Sequence, residues 1–273
     1  MRKLLVVLGA SLALALTAGT APGAAQSSGR AQRGEQRGNP QRAAVARRKS
    51  VKRRQRKLLK CNRTFNGVTA RQVVVPRNGA CILKRSTVKG SVQVLGNAYF
   101  EARKTSIRGD VEGRNALTIF IHSNSRVARQ VVAKRTPQVF LFGSTVGNGV
   151  QARDAISDFG HVQLCGMTIL EGDVFVEVTG RDVFVGDPRA GDCPGNSVRR
   201  GNVAIQRNYT DIELIVSGNR ISSGSLTVSG NSGPSEKLVQ GNTGAGTLTC
   251  EGNTLPFVAT ANLGWQQQFG QCL

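Results

Sequence analysis

Residues 215–253 read IVSGNRISSGSLTVSGNSGPSEKLVQGNTGAGTLTCEGN, and the stretch says nearly the same thing twice. Ile215, Val216, Gly218 and Asn219 recur 23 positions on as Leu238, Val239, Gly241 and Asn242. Leu226, Val228, Gly230 and Asn231 recur 22 positions on as Leu248, Cys250, Gly252 and Asn253. Each copy holds two short apolar-alternating runs closed by Gly-Asn, so one unit is strand, corner, strand, corner. A unit this small cannot bury its own apolar face and must stack on a neighbour. The economical arrangement is a β-solenoid whose coils lie roughly 4.8 Å apart. Gly and Asn accept the left-handed backbone of tight corners, and asparagines one coil apart are placed to stack their amides in a ladder.

A looser pattern, Ser/Thr followed by alternating Val, Ile or Leu, extends backwards through segments 86–94, 105–113, 125–133, 144–152, 168–176, 197–205 and 220–228. Taking Val88, Ile107, Val127, Val146, Ile169, Val198, Ile221 and Thr243 as equivalent points, successive spacings run from 19 to 29 residues. The fold class expected is all-β: a single-stranded parallel β-helix of about nine coils of 19–29 residues over residues 61–273.

Three compositional zones divide the chain. Arg2 and Lys3, an apolar run over residues 4–18 and small residues ending at Ala25 read as a secretory signal peptide over 1–25. Residues 26–60 carry thirteen Lys/Arg against Glu35 alone and no aromatic residue, which predicts a disordered basic arm. Of the net charge of +21, the remaining segment contributes little, with 22 basic and 15 acidic side chains. The expected address is extracellular or cell-wall associated, with no membrane segment after cleavage of the leader.

All six cysteines follow the leader, as expected where they pair in an oxidising compartment. Cys61 and Cys81 are 20 residues apart, Cys165 and Cys193 are 28, and Cys250 and Cys272 are 22, each about one coil. Residues stacked on adjacent coils have Cα atoms roughly 5 Å apart, within disulfide reach. Three coil-to-coil disulfides are therefore expected. With no CxxC and no Cys/His cluster, no metal site or cofactor is expected.

In the arm, Arg47, Arg48, Lys49, Lys52, Arg53, Arg54, Arg56 and Lys57 are the candidate contacts to an anionic polymer. Cell-wall polymer or acidic polysaccharide is favoured over nucleic acid, because the basic run has no aromatic residue on which bases would stack. The strands around 115–121 and 138–142 place aromatics at comparable coil positions, where they are expected to stack inside the solenoid. His122 and His161, 39 residues apart, should share a side without touching. Trp265 and Phe269 are expected to cover the open end.

HExxH, Walker and GxSxG motifs are missing from the chain. A polysaccharide lyase or hydrolase would need acidic residues converging in a groove. The local groupings are Asp154 with Asp158, and Asp173 with Asp182 and Asp187, the latter beside a turn-rich insertion over 186–200 that also holds Arg189 and Asp192. Their spacing does not force convergence.

The leader, the short valine and Gly-Asn repeats and the GN…GN…C close resemble a group of uncharacterised exported solenoid proteins of actinobacteria. More loosely they resemble bactofilin-type and pectate-lyase-like β-helices. The resemblance implies a right-handed helix and export, and carries no activity. The leading expectation is a non-enzymatic structural or surface-binding protein held by its arm to an anionic envelope polymer; the alternative is a carbohydrate-active β-helix enzyme.

Overall fold

The computed structural model describes residues 55–155, 159–187 and 193–273. The expected leader, the arm residues Arg47, Arg48, Lys49, Lys52, Arg53 and Arg54, and Asp158, Arg189 and Asp192 lie outside the described residues. The chain forms a parallel β-solenoid of ten turns, one for each strand of its broad wall. A typical turn runs through a broad-wall strand such as Thr118–His122, a two-residue strand such as Arg126–Val127, and a four-residue strand such as Val131–Lys134; in the first turn the two short strands are one continuous strand, Thr69–Val75. Three corners separate them. The broad wall is a ten-stranded sheet and the other two columns belong to a nineteen-stranded one.

The register predicted from the repeat holds through most of its length. Val88, Ile107, Val127, Val146, Ile169, Val198 and Ile221 pair in succession. The last point slips by one: Ile221 pairs with Gly244, not Thr243. Gly244 offers no side chain to align on, and the Trp265 ring occupies the space where its Cβ would stand. Strand Gln55–Lys60 pairs in parallel with Thr69–Val75, so the solenoid starts inside the segment expected to be arm and includes Arg56 and Lys57.

Alternation along each strand sends one parity into a continuous aliphatic core. Ile119 and Ile121, Val139 and Leu141, and Val162 and Leu164 are fully or almost fully buried on successive coils. Phe120 and Phe140 do lie in register, but edge-on and on the outside, half-buried, and not in the interior as expected. In a run such as Gln138–Phe142 both parities carry large apolar residues, so alternation alone does not say which faces in. Lys237 breaks the pattern the other way. It points into the core at 0% exposure, its Nζ donating to the carbonyls of Gly233 and Ser235 at 2.9 Å, and burial lowers its pKa.

The asparagine ladder is present twice. Asn196, Asn219, Asn242 and Asn262 form one column, each Nδ2 donating to the Oδ1 of the next at 2.9–3.0 Å. Asn208, Asn231 and Asn253 form the other, which ends on Gln271. In the earlier coils the first column is occupied by Ser86, Thr105 and Ser125, whose hydroxyls accept from backbone N–H groups of the preceding coil. All three disulfides join as expected, with Cα separations of 5.2, 4.6 and 5.2 Å.

Candidate functional site

The three candidate carboxylates fall on different parts of the coil. Asp173 lies at the corner leading into Val174–Glu177, where its Oδ1 accepts from the Asn202 backbone N–H at 2.7 Å and from Asn202 Nδ2 at 3.3 Å. That is the tie Asn202 repeats one coil on, accepting from the Ser225 N–H at 2.9 Å. Asp182 is on the outer surface of the broad wall, and Asp187 is past the end of that strand, in an antiparallel bridge with Cys193. Asp154 is a corner residue with φ 55°. The structure does not bring Asp173, Asp182 and Asp187 together, and among the described residues no group of acidic, His and Cys side chains could hold a metal ion.

What the structure does assemble is a basic stripe that the composition did not reveal. Between residues 61 and 135 there are fourteen Lys/Arg against three Asp/Glu, whereas residues 136–273 have eight against twelve. The first coils are therefore strongly cationic and the later ones mildly acidic. Arg114, Lys134 and Arg153 are paired in register on consecutive coils, all exposed, at the corner between the four-residue strands and the broad wall. Arg77, Asn78, Asn97, Arg114 and Asn115 line a shallow recess on the same corner. Like charges on facing strand positions repel, so the stack costs stability. It ends where Glu177 pairs with Arg153 at 3.9 Å and with Arg207. Sequence reading missed these cations, although their spacings of 20 and 19 residues match the coil period.

Beside the stripe, the outer surface of the broad wall carries an aromatic row. Glu101, Phe120, Phe140, Gln163 and Phe184 lie in register over five coils. Tyr99, Thr118, Gln138, His161 and Asp182 form the row next to it, on the side of the stripe. Phe120 stacks on His122 with centroids 4.2 Å apart and meets Phe140 and Phe142 edge-on at 5.9 and 5.8 Å. His161 lies between Phe140 and Phe184, at 5.1 and 5.4 Å. The two histidines share the face two coils apart without touching, as the spacing predicted.

One buried carboxylate starts the aromatic row, and a second lies in the adjacent row beside Phe184. Glu101, 3% exposed, accepts from Tyr99 Oη at 2.7 Å, from His122 Nε2 at 3.0 Å and from Arg103 Nε. Burial pushes its pKa up, and the hydrogen bonds from His122, Tyr99 and Arg103 overcome that and hold it below the usual carboxylate range. Burial, followed by the bond to Glu101, pushes the Tyr99 phenol up to about 12. His122 Nδ1 lies 2.9 Å from Ser123 Oγ. The Glu101 charge is shared among three donors, which fixes the imidazole in place.

At the other end, Asp182 Oδ2 is 3.6 Å from His161 Nδ1 and 3.8 Å from Arg181 Nε. Burial raises the Asp182 pKa against the opposing pull of His161 and Arg181, and burial lowers that of His161. Asp182 Oδ1 and His161 Nε2 are buried without a hydrogen-bond partner. Trp265, expected at the open end, packs half-buried against the core over Gly244, while Phe269 is 44% exposed.

Fold and surface together define a disulfide-bonded parallel β-solenoid with a cationic first half. Comparison with protein-family models, curated proteins and solved structures finds no match. Among the described residues no helix is long and apolar enough to cross a membrane.

Proposed function

We propose that this is an exported, non-enzymatic binding protein whose basic arm and first coils hold an anionic envelope polymer. The observation that carries the reading is the in-register stack of Arg114, Lys134 and Arg153, joined on one corner by Arg77. A solenoid that keeps like charges one coil apart accepts a repulsion that a polyanion lying along its axis would remove. The arm segment adds thirteen cations over residues 26–60, adjoining the first coils in sequence. Three disulfides and the leader-like first 25 residues fit export to an oxidising compartment. The separation of Asp173, Asp182 and Asp187 favours binding over glycan cleavage.

Retention on purified cell wall, acidic polysaccharide and DNA at low and high salt tests the proposal. The chain is compared with a version lacking residues 26–54, a deletion that spares strand Gln55–Lys60. Salt-sensitive retention, weakened by the deletion, is the expected result. Failure of both forms to bind any of the three polymers at low salt would falsify it.

A further inference from the structure

From the aromatic row on the broad wall we infer a platform on which the sugar rings of an acidic polysaccharide stack while its acid groups meet the basic stripe. The inference rests on the proposed function and names the polymer's class. Phe120, Phe140 and Phe184 lie on one outward row that crosses the strands, parallel to the stripe, with His161 filling the gap opposite Gln163. A polymer lying along the solenoid axis therefore meets cations on one side and rings on the other. Between them run Tyr99, Gln138 and His161, hydroxyl, amide and imidazole groups of the kind that hydrogen-bond sugar hydroxyls, with the buried Thr118 donating to Gln138 Oε1 at 2.7 Å beneath them.

The ends of the row select against a phosphodiester chain. Glu101, held ionised by its donors, stands in the aromatic row next to Phe120, and Asp182, which is more than nine-tenths buried, stands in the neighbouring row beside Phe184. A phosphate placed over the rings would face carboxylates, whereas hydroxyl groups donate to them. His161 Nε2 also has unmet hydrogen-bonding capacity at that end. Stacked bases would use the same rings, so nucleic acid is the competitor that the experiment must separate.

Titration calorimetry of the full disulfide-bonded protein with polygalacturonate, inorganic polyphosphate and oligo-dT makes the separation. The platform variant is Phe120→Leu with Phe140→Leu, which keeps an apolar, strand-compatible side chain at each position. The stripe variant is Arg77→Gln, Arg114→Gln and Lys134→Gln. Loss of the rings should weaken polygalacturonate by about tenfold, the scale of one aromatic contact, and leave polyphosphate unchanged. The stripe variant should weaken both. Equal polygalacturonate binding by wild type and the platform variant overturns the platform while leaving the electrostatic reading intact. Tighter binding of oligo-dT than of polygalacturonate, lost with the rings, overturns it in favour of single-stranded nucleic acid. Binding of every polymer unaffected by the stripe variant overturns the proposed function itself. Unchanged circular dichroism and melting temperature establish that the variants are folded.

Discussion

Arg85, Lys104, Asn115, Arg135 and Val178 hold φ between 47° and 53°, at corners where later coils use Gly218, Gly230, Gly241 and Gly252 at 61–66°. This is why the repeat is plain in residues 215–253 and faint before them. Glycine announces a left-handed corner, whereas nothing in arginine or lysine does. The backbone requirement is the same in both halves, so the early corners carry strain. Val178, β-branched, suffers most, and Val178→Gly should raise stability by about 1 kcal/mol, read from the urea midpoint. Asn219 is the opposite case. Its Nδ2 donates to Asn242 Oδ1 and to the Val185 carbonyl, and its Oδ1 accepts from the Asn196 backbone and side chain. Asn219→Ala should cost about 3 kcal/mol, because four hydrogen bonds vanish and buried donors are left without partners.

Glu101 gives the pH dependence at this scale. Its folded pKa lies below the ordinary 4.5, so its stabilisation is present above that value and is lost as pH falls through the folded pKa. Glu101→Gln should cost about 2 kcal/mol at pH 7. The difference from wild type should shrink towards zero in acid, where the wild-type carboxyl is itself neutral; a constant difference down to pH 2.5, an arbitrary acid limit of roughly two units under the ordinary value, would contradict the assignment.

At the scale of the element, each wall strand is too short to stand alone and is held by its neighbours above and below. The disulfides act on the same vertical axis. Cys61–Cys81, Cys165–Cys193 and Cys250–Cys272 close loops of 20, 28 and 22 residues near the start, middle and end of the stack. Loops of this size restrict the unfolded chain by about 3 kcal/mol each. Replacing Cys250 and Cys272 together by Ser should loosen the last coils first, seen as faster amide exchange in strand Gln267–Gly270 with the central strands still protected. The cysteine spacings showed this pairing directly, since each matches a coil. The aromatic strands were harder to read. Thr118–His122 and Gln138–Phe142 carry large apolar residues at both parities, and only the burial of Ile119, Ile121, Val139 and Leu141 decides that the phenylalanines face outwards.

For the whole molecule, the decisive property is how charge is distributed along the solenoid. More than half of the net charge of +21 falls in the arm segment, where cations are close together in sequence. Arg114, Lys134 and Arg153 are distant in sequence and become neighbours only once the coil register is fixed. They were legible in principle, because their spacing is the coil period, but periodicity is normally sought in apolar residues. The fold was therefore largely readable from the C-terminal repeat, and the candidate binding surface was not. The most direct test of that surface is the salt dependence of polygalacturonate affinity for wild type and for the Arg77→Gln, Arg114→Gln, Lys134→Gln variant. The account predicts weaker binding and a shallower slope of log K against log salt for the variant, by up to about one unit per lost cation contact. The same slope and affinity in both proteins would contradict it.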